Sequence, residues 1–183
     1  MALLRGINVG GRNKVAMADL REIAVSLGHA DVATYIQSGN LVFTSARADT
    51  ARLAQDLELQ IAGRLDVRPA VVVLSRDELA QVIADNPFPD VTNPKCLHAV
   101  FRQDDLGPDG IAAVAAAQQR ASQKGSRDRA VVVGRTLFLS TPDGLGRSEL
   151  AVQLGRSAAQ AAGTARNWAT VTKLLSMLDA DPA

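Results

Sequence analysis

The 183-residue sequence predicts an α/β chain of the α+β kind, built as two similar halves, each an antiparallel sheet packed by helices. Three observations carry this. Apolar residues recur at helical spacing in several segments, β-rich runs come in pairs around tight turns, and the order of elements in the first half is echoed in the second.

"MALLRG" opens as a short apolar strand. In "MADLREIAVSLG", Leu20, Ile23, Ala24 and Leu27 fall at i, i+3, i+4 and i+7, and Gly28 suits a helix stop. "DVATYIQSGNLVFTS" holds two β-rich runs around Ser38-Gly39-Asn40, the pattern of a tight hairpin. "DTARLAQDLELQIAGRL" sets Leu53, Leu57 and Ile61 on one helical side, and "PAVVVL" is a buried strand. Residues 2–74 therefore have the ferredoxin-like order β-α-β-β-α-β. The short helix "SRDELAQVIA" follows, and "DNPFPDVTNPK", with three prolines, reads as linker. The second half runs from the strand "CLHAVFR" through the helix "GPDGIAAVAAAQQRA" to a hairpin, "RAVVVGRTLFLS", turning at Gly134-Arg135. After the loop "TPDGLGRS", helices are expected at about 148–158 and 167–179. It matches the first half but shows no last strand. The expected division is 1–74 and 96–183 as two ferredoxin-like subdomains, a diverged duplication, with 75–95 between them.

Bulk composition is that of an ordinary globular chain, 47% hydrophobic and 21% charged. A net charge of +1 creates no global field toward nucleic acid or membrane. Cys96 is the one cysteine, so no disulfide forms within the chain and a reducing, cytoplasmic setting is expected. No apolar run reaches the roughly 18 residues of a membrane span. Arg5 interrupts an apolar start too short for a signal peptide.

Five blocks in order, "LLRGINVGGRNKVAMADL", "TYIQSGNLVF", "NPKCLHAVF", "GLGRSEL" and "TARNWATVTKLL", resemble a widespread bacterial protein family of unknown function. The resemblance runs nearly end to end. It implies an α/β protein of two ferredoxin-like halves and carries no activity, cofactor or catalytic residue with it.

Candidate chemistry therefore rests on the residues. Gly6-Ile7-Asn8-Val9-Gly10-Gly11-Arg12-Asn13 has the glycine spacing of a phosphate-binding P-loop. Arg12 stands where the lysine is required and Asn13 where the magnesium-holding hydroxyl is required, which excludes a nucleotide hydrolase of that type. Glycines still allow close backbone approach to an anion. "GLGRSEL" places Arg147 and Ser148 where a loop enters a helix, and "TARNWATV" places Arg166 and Asn167 at another expected helix start. Cations are poorly placed there, because the helix dipole is already positive. Two guanidinium charges 6 Å apart repel by about 3 kcal/mol at an effective dielectric of 20. Something negative should answer them: a bound anion, or carboxylates such as Asp19, Glu22, Asp143 and Glu149.

The expected ligand-binding residues are Arg5, Asn8, Arg12, Lys14, Ser38, Asn40, Arg147, Ser148, Arg166 and Asn167, lining a cleft for a small phosphorylated or carboxylated molecule. Ser38 and Asn40 also have a simpler reading as hairpin-turn residues. Arg120, Lys124, Arg127, Arg129 and Arg135 offer a second reading, a nucleic-acid-binding module. That reading lacks stacking aromatics: aromatic residues are 3% of the chain, and "SGNLVFTS" does not fit an RNA-recognition motif. A third reading is a structural or assembly protein with these arginines in ion pairs. No carboxylate pair is spaced for catalysis, so the sequence names no reaction, and it calls for no cofactor, metal or membrane and sets no oligomeric state. Cys96 and His98 share a strand face, but a zinc site wants about four ligands. His29 follows a helix end, and Trp168, Val171, Leu175 and Leu178 form a helical apolar stripe, expected in the core.

Overall fold

The computed structural model describes residues 1–11, 13–155 and 163–180. The element order is β1 (Ala2–Leu4), α1 (Met17–Ser26), β2 (Ala30–Tyr35), β3 (Asn40–Thr44), α2 (Thr50–Leu65), β4 (Val71–Val73), α3 (Arg76–Ala84), β5 (Leu97–Phe101), α4 (Pro108–Gln123), β6 (Arg129–Val133), β7 (Thr136–Ser140), a 3-10 turn (Leu145–Arg147), α5 (Glu149–Gly155), β8 (Thr164–Asn167) and α6 (Trp168–Leu178). The strands form two four-stranded sheets, ordered β2-β3-β1-β4 and β6-β7-β5-β8, with every neighbouring pair antiparallel. Renumbered within its own half, the second sheet repeats the order of the first, the strand order of a ferredoxin-like fold. The chain divides into two compact units, Met1–Ala80 with the residues from Lys173 on, and Gln81–Thr172.

In the first unit, alternation along the strands sends Ala2, Leu4, Leu41, Phe43, Val71 and Val73 to one face, where they pack on Leu20 and Ile23 of α1 and Leu53, Leu57 and Ile61 of α2. Leu27, the fourth residue of the α1 stripe, packs partly buried against the same core. Helices α2 and α3 start where side chains satisfy free N–H groups. Asp49 accepts from the Arg52 amide at 3.0 Å, opening α2. Ser75 and Glu78 form a reciprocal capping box at α3, at 3.1 and 2.8 Å. Asp179 after α6 pairs with Arg76 at 2.8 Å.

In the second unit, Val100, Leu137 and Leu139 face Val114, Ala117 and Ala121 of α4 and Leu150 and Leu154 of α5. Leu97 and Phe138 face the other way, against Phe88 and Trp168. Trp168 is thus a packing residue, its ring centroid 6.1 Å from that of Phe138. Farther along α6, Val171 and Leu174 are fully buried, whereas Leu175 and Leu178 are half-buried, so the stripe turns one residue away from the expected one.

One expectation fails outright. The second half does have a last strand: β8, Thr164–Asn167, pairs with β5 from Phe101↔Thr164 to His98↔Asn167. Arg166 lies inside this strand opposite Ala99, and Asn167 both ends the strand and stands just before α6, whose start falls within one residue of the expected one. "TARN" escaped notice because four residues with one β-branched member and two polar ones show no strand pattern. Gly163 just before it lets the chain approach β5; a Cβ there would come 2.5 Å from Val100 Cγ1 and 3.3 Å from the Phe101 carbonyl oxygen. Of the helix expected at 148–158, Glu149–Gly155 is observed and residues 156–158 lie outside the described ones.

Candidate functional site

The opening loop is knitted to itself and to the β2–β3 hairpin. Five of its described residues take positive φ: Gly6, Asn8, Gly10, Gly11 and Asn13. Asparagine and glycine tolerate that region, which is why the stretch is built of them. The Asn8 side chain donates to the carbonyls of Val15 at 2.9 Å and Gln37 at 3.0 Å and accepts from the Val15 amide at 2.9 Å. Asn13 Nδ2 donates to the Gly6 carbonyl at 3.0 Å, and the Asn8 amide donates to the Asn13 carbonyl at 3.1 Å. These bonds tie the two stems of the loop, setting Arg5-Gly6 against Asn13-Lys14. Asn8 is committed to holding the loop.

The hairpin closes the other side. The Leu4 amide donates to the Gly39 carbonyl at 2.8 Å. Gly39 has φ 71°, and a Cβ there would sit 2.8 Å from Leu4 Cβ and 2.9 Å from Ile7 Cδ1, so no other residue fits. Asn40 is fully buried and its amide donates to the Tyr35 carbonyl at 3.0 Å and Ser38 Oγ at 2.9 Å, so both Ser38 and Asn40 serve the turn. On this framework Arg5 and Lys14 are exposed, and among the described residues neither side chain has a hydrogen bond or ion pair. Arg12 lies outside the described residues. β1 is antiparallel to both neighbours, so the loop has none of the parallel-sheet setting of a P-loop.

In the second unit, the residues grouped around "GLGRS" divide. Ser148 is buried and caps α5, accepting from the Ala151 amide at 2.9 Å and donating to Asp128 Oδ2 at 2.8 Å. Asp128, 5% exposed, also accepts from Ser126 Oγ at 2.7 Å and from the Leu150 amide at 3.3 Å. The negative charge at the start of α5 is therefore the protein's own. Arg147, one residue earlier, is exposed and makes no hydrogen bond or ion pair among the described residues. Arg166 is buried, with Nη1 donating to Thr164 Oγ1 at 2.7 Å and the Ala165 carbonyl at 2.8 Å; burial pushes its pKa down to about 10, which leaves it charged at neutral pH. Asn167 Oδ1 accepts from the Thr170 amide at 2.8 Å and caps α6. Of the residues singled out from the sequence, Arg5, Asn8, Lys14, Ser38 and Asn40 belong to the first unit and Arg147, Ser148, Arg166 and Asn167 to the second.

The basic stretch is occupied throughout. Lys124 pairs with Glu149 at 2.6 Å, Arg127 with Asp143 at 2.8 Å and Arg129 with Asp90 at 2.7 Å. Arg129 also stacks over Phe88, 4.7 Å from the ring centroid. Arg120 donates to Gln153 Oε1 at 3.0 Å and Arg135 to the Gln103 carbonyl at 3.1 Å.

The remaining titratable candidates sit in packing environments. His29 stacks on Phe43, centroids 4.4 Å apart; burial, then the nearby Arg47 charge, lowers its pKa. Burial also lowers that of His98. Cys96 Sγ donates to the Pro142 carbonyl at 3.5 Å. Among the described residues no cluster of His, Cys, Asp or Glu could hold a metal ion, and no helix is long and apolar enough to cross a membrane. A groove of about 730 Å³ runs between Gln55, Glu58, Leu59 and Ala62 of α2 and the Arg68–Ala70 segment, and none of the residues singled out from the sequence lines it.

Two residues missed in the sequence matter here: Asp128, as the acceptor at α5, and Gln37, whose carbonyl anchors Asn8. Neither has a local signal. Asp128 stands 20 residues before the Ser148 it serves, and Gln37 contributes a backbone oxygen, which any residue supplies.

Comparison with known proteins follows the fold. A family profile described as "Protein of unknown function (DUF1697)" matches residues 1–138. A solved structure of a conserved bacterial protein from Streptococcus pneumoniae is similar to this chain with 26% identity and a TM-score of 0.74, covering 97% of each chain. No curated protein matches.

Proposed function

The chain belongs to the DUF1697 family of proteins of unknown function, and we propose that it binds a small phosphorylated or carboxylated molecule at the knitted loop of the first unit, through Arg5 and Lys14. One observation supports this reading above the others. Arg5, Lys14 and Arg147 are exposed and have no acceptor among the described residues, while each of the five cations of the 120–135 stretch has one. Unpaired cations carried on a hydrogen-bonded loop bind an anion without first breaking an internal pair. Asn8, Asn13, Ser38 and Asn40 act as the frame, and Arg147 in the second unit is a further cation of the same kind.

Thermal unfolding in the presence of inorganic phosphate, sugar phosphates, nucleotides and short oligonucleotides tests this. A ligand at one hundred times its dissociation constant adds about 2.7 kcal/mol of stability. The expected result is a saturable rise in the unfolding midpoint with a small phosphate or carboxylate, lost in Arg5→Ala/Lys14→Ala. A rise that persists in the double variant overturns the site. Binding confined to oligonucleotides, with a steep loss in salt, overturns it in favour of a nucleic-acid module.

A further inference from the structure

Ile36 is placed at a double cost. Its φ is 49°, in the left-handed region, where a β-branched side chain is a genuine outlier. The other positive-φ residues among those described are glycine, asparagine or aspartate, which tolerate that backbone. Ile36 is also 54% exposed, so packing does not offset the strain. Such strain persists where the surroundings enforce it, and it gathers at functional sites.

Its position gives the strain a use. Ile36 precedes Gln37, whose carbonyl accepts from Asn8 Nδ2 at 3.0 Å, and Asn8 precedes Val9, which is 66% exposed. One hydrogen bond thus joins the loop that carries Val9 to the hairpin that carries Ile36, on the framework that also carries Arg5 and Lys14. Lone exposed aliphatics are ordinary on protein surfaces. Two exposed aliphatics on one framework with unpartnered cations, one of them held in a conformation that asparagine would adopt more easily, give that framework an apolar component beside its positive charge.

We propose that Val9 and Ile36 form the apolar half of the anion site, so that its ligand is an amphipathic anion: a carboxylate or phosphate monoester carrying an aliphatic or aromatic body. The inference rests on the reading of Arg5 and Lys14 as anion ligands. The cations set the charge of one end of the ligand, and the two aliphatic side chains set the character of the rest.

Calorimetric titration with inorganic phosphate and then methyl, butyl, hexyl and phenyl phosphate tests it. Affinity is expected to rise about fourfold per methylene buried over the first few carbons. In Ile36→Asn the series should flatten toward inorganic phosphate, with phosphate itself bound as before and a higher unfolding midpoint as the strain is relieved. Val9→Ser should flatten it as well, with no such rise. A flat series in the unaltered protein, with phosphate still bound and lost in Arg5→Ala/Lys14→Ala, overturns this inference and leaves the anion site standing. Absence of binding by phosphate and every ester overturns both. A chain-length gain that survives Ile36→Asn and Val9→Ser puts the apolar contact elsewhere and overturns the assignment. Binding to phosphatidylserine vesicles without binding to soluble esters overturns the small-molecule class in favour of a membrane surface.

Discussion

In the second unit Lys124 meets Glu149, Arg127 meets Asp143 and Arg129 meets Asp90; in the first, Arg5 and Lys14 meet no acceptor among the described residues. The two basic regions look alike in sequence, and closeness in sequence misassigns their acids. Asp143 and Glu149 flank Arg147 along the chain, yet they serve Arg127 and Lys124. Folding decides which cations are neutralised. What remains unpaired is then a property of the fold rather than of composition.

The strongest way to break this contrast is to remove the acid at its centre. Asp128 accepts from Ser126, Ser148 and the Leu150 amide in a buried position. Asp128→Ala strands several of these donors and is expected to cost about 3 kcal/mol in denaturant unfolding. A cost under about 1 kcal/mol would mean that the donors find other partners and that Asp128 does not anchor α5. Next comes the frame of the free cations. Asn8→Ala removes three hydrogen bonds and puts a Cβ without a local partner at φ 55°. It is expected to cost about 2 kcal/mol and to speed exchange of the Val15 amide proton. Unchanged exchange there would show the loop is held by other means, weakening the idea of preorganised cations. The smallest effect belongs to the exposed pairs. Arg127 and Asp143 are 71% and 58% exposed, and Arg127→Ala should change stability by less than about 0.5 kcal/mol and leave phosphate binding untouched. A drop in phosphate affinity in that variant would erase the distinction between the two regions.

Most of the fold was readable because it is written in local patterns. Leu20, Ile23, Ala24 and Leu27 predict α1 from spacing, and Ser38-Gly39-Asn40 predicts the first hairpin from turn chemistry. β8 was not readable, since it owes its strand conformation to pairing with β5, more than sixty residues away, and not to its own composition. The candidate site divides in the same way. That the glycine loop would be tightly turned and basic is local information. That Asn8 spends its amide on Val15 and Gln37, or that Arg166 would be buried in a strand, depends on where the chain returns. The helix-entry argument proved half informative: it demanded a negative group at the start of α5, and Asp128 supplies it from within.

The strand at Thr164–Asn167 also sets a timetable. The first sheet has all its strands once the chain reaches Val73, and its longest wait is from β1 to β4. The second likewise places its last-made strand directly beside its first-made one, so β1 has an unpaired edge until residue 73 and β5 until residue 167 has been synthesised. At five to twenty residues per second that exposure lasts for seconds during translation. An edge with Val100 and Phe101 on it is a template for wrong pairing in that interval. The two halves, alike when folded, thus also impose nearly the same wait on their first strands.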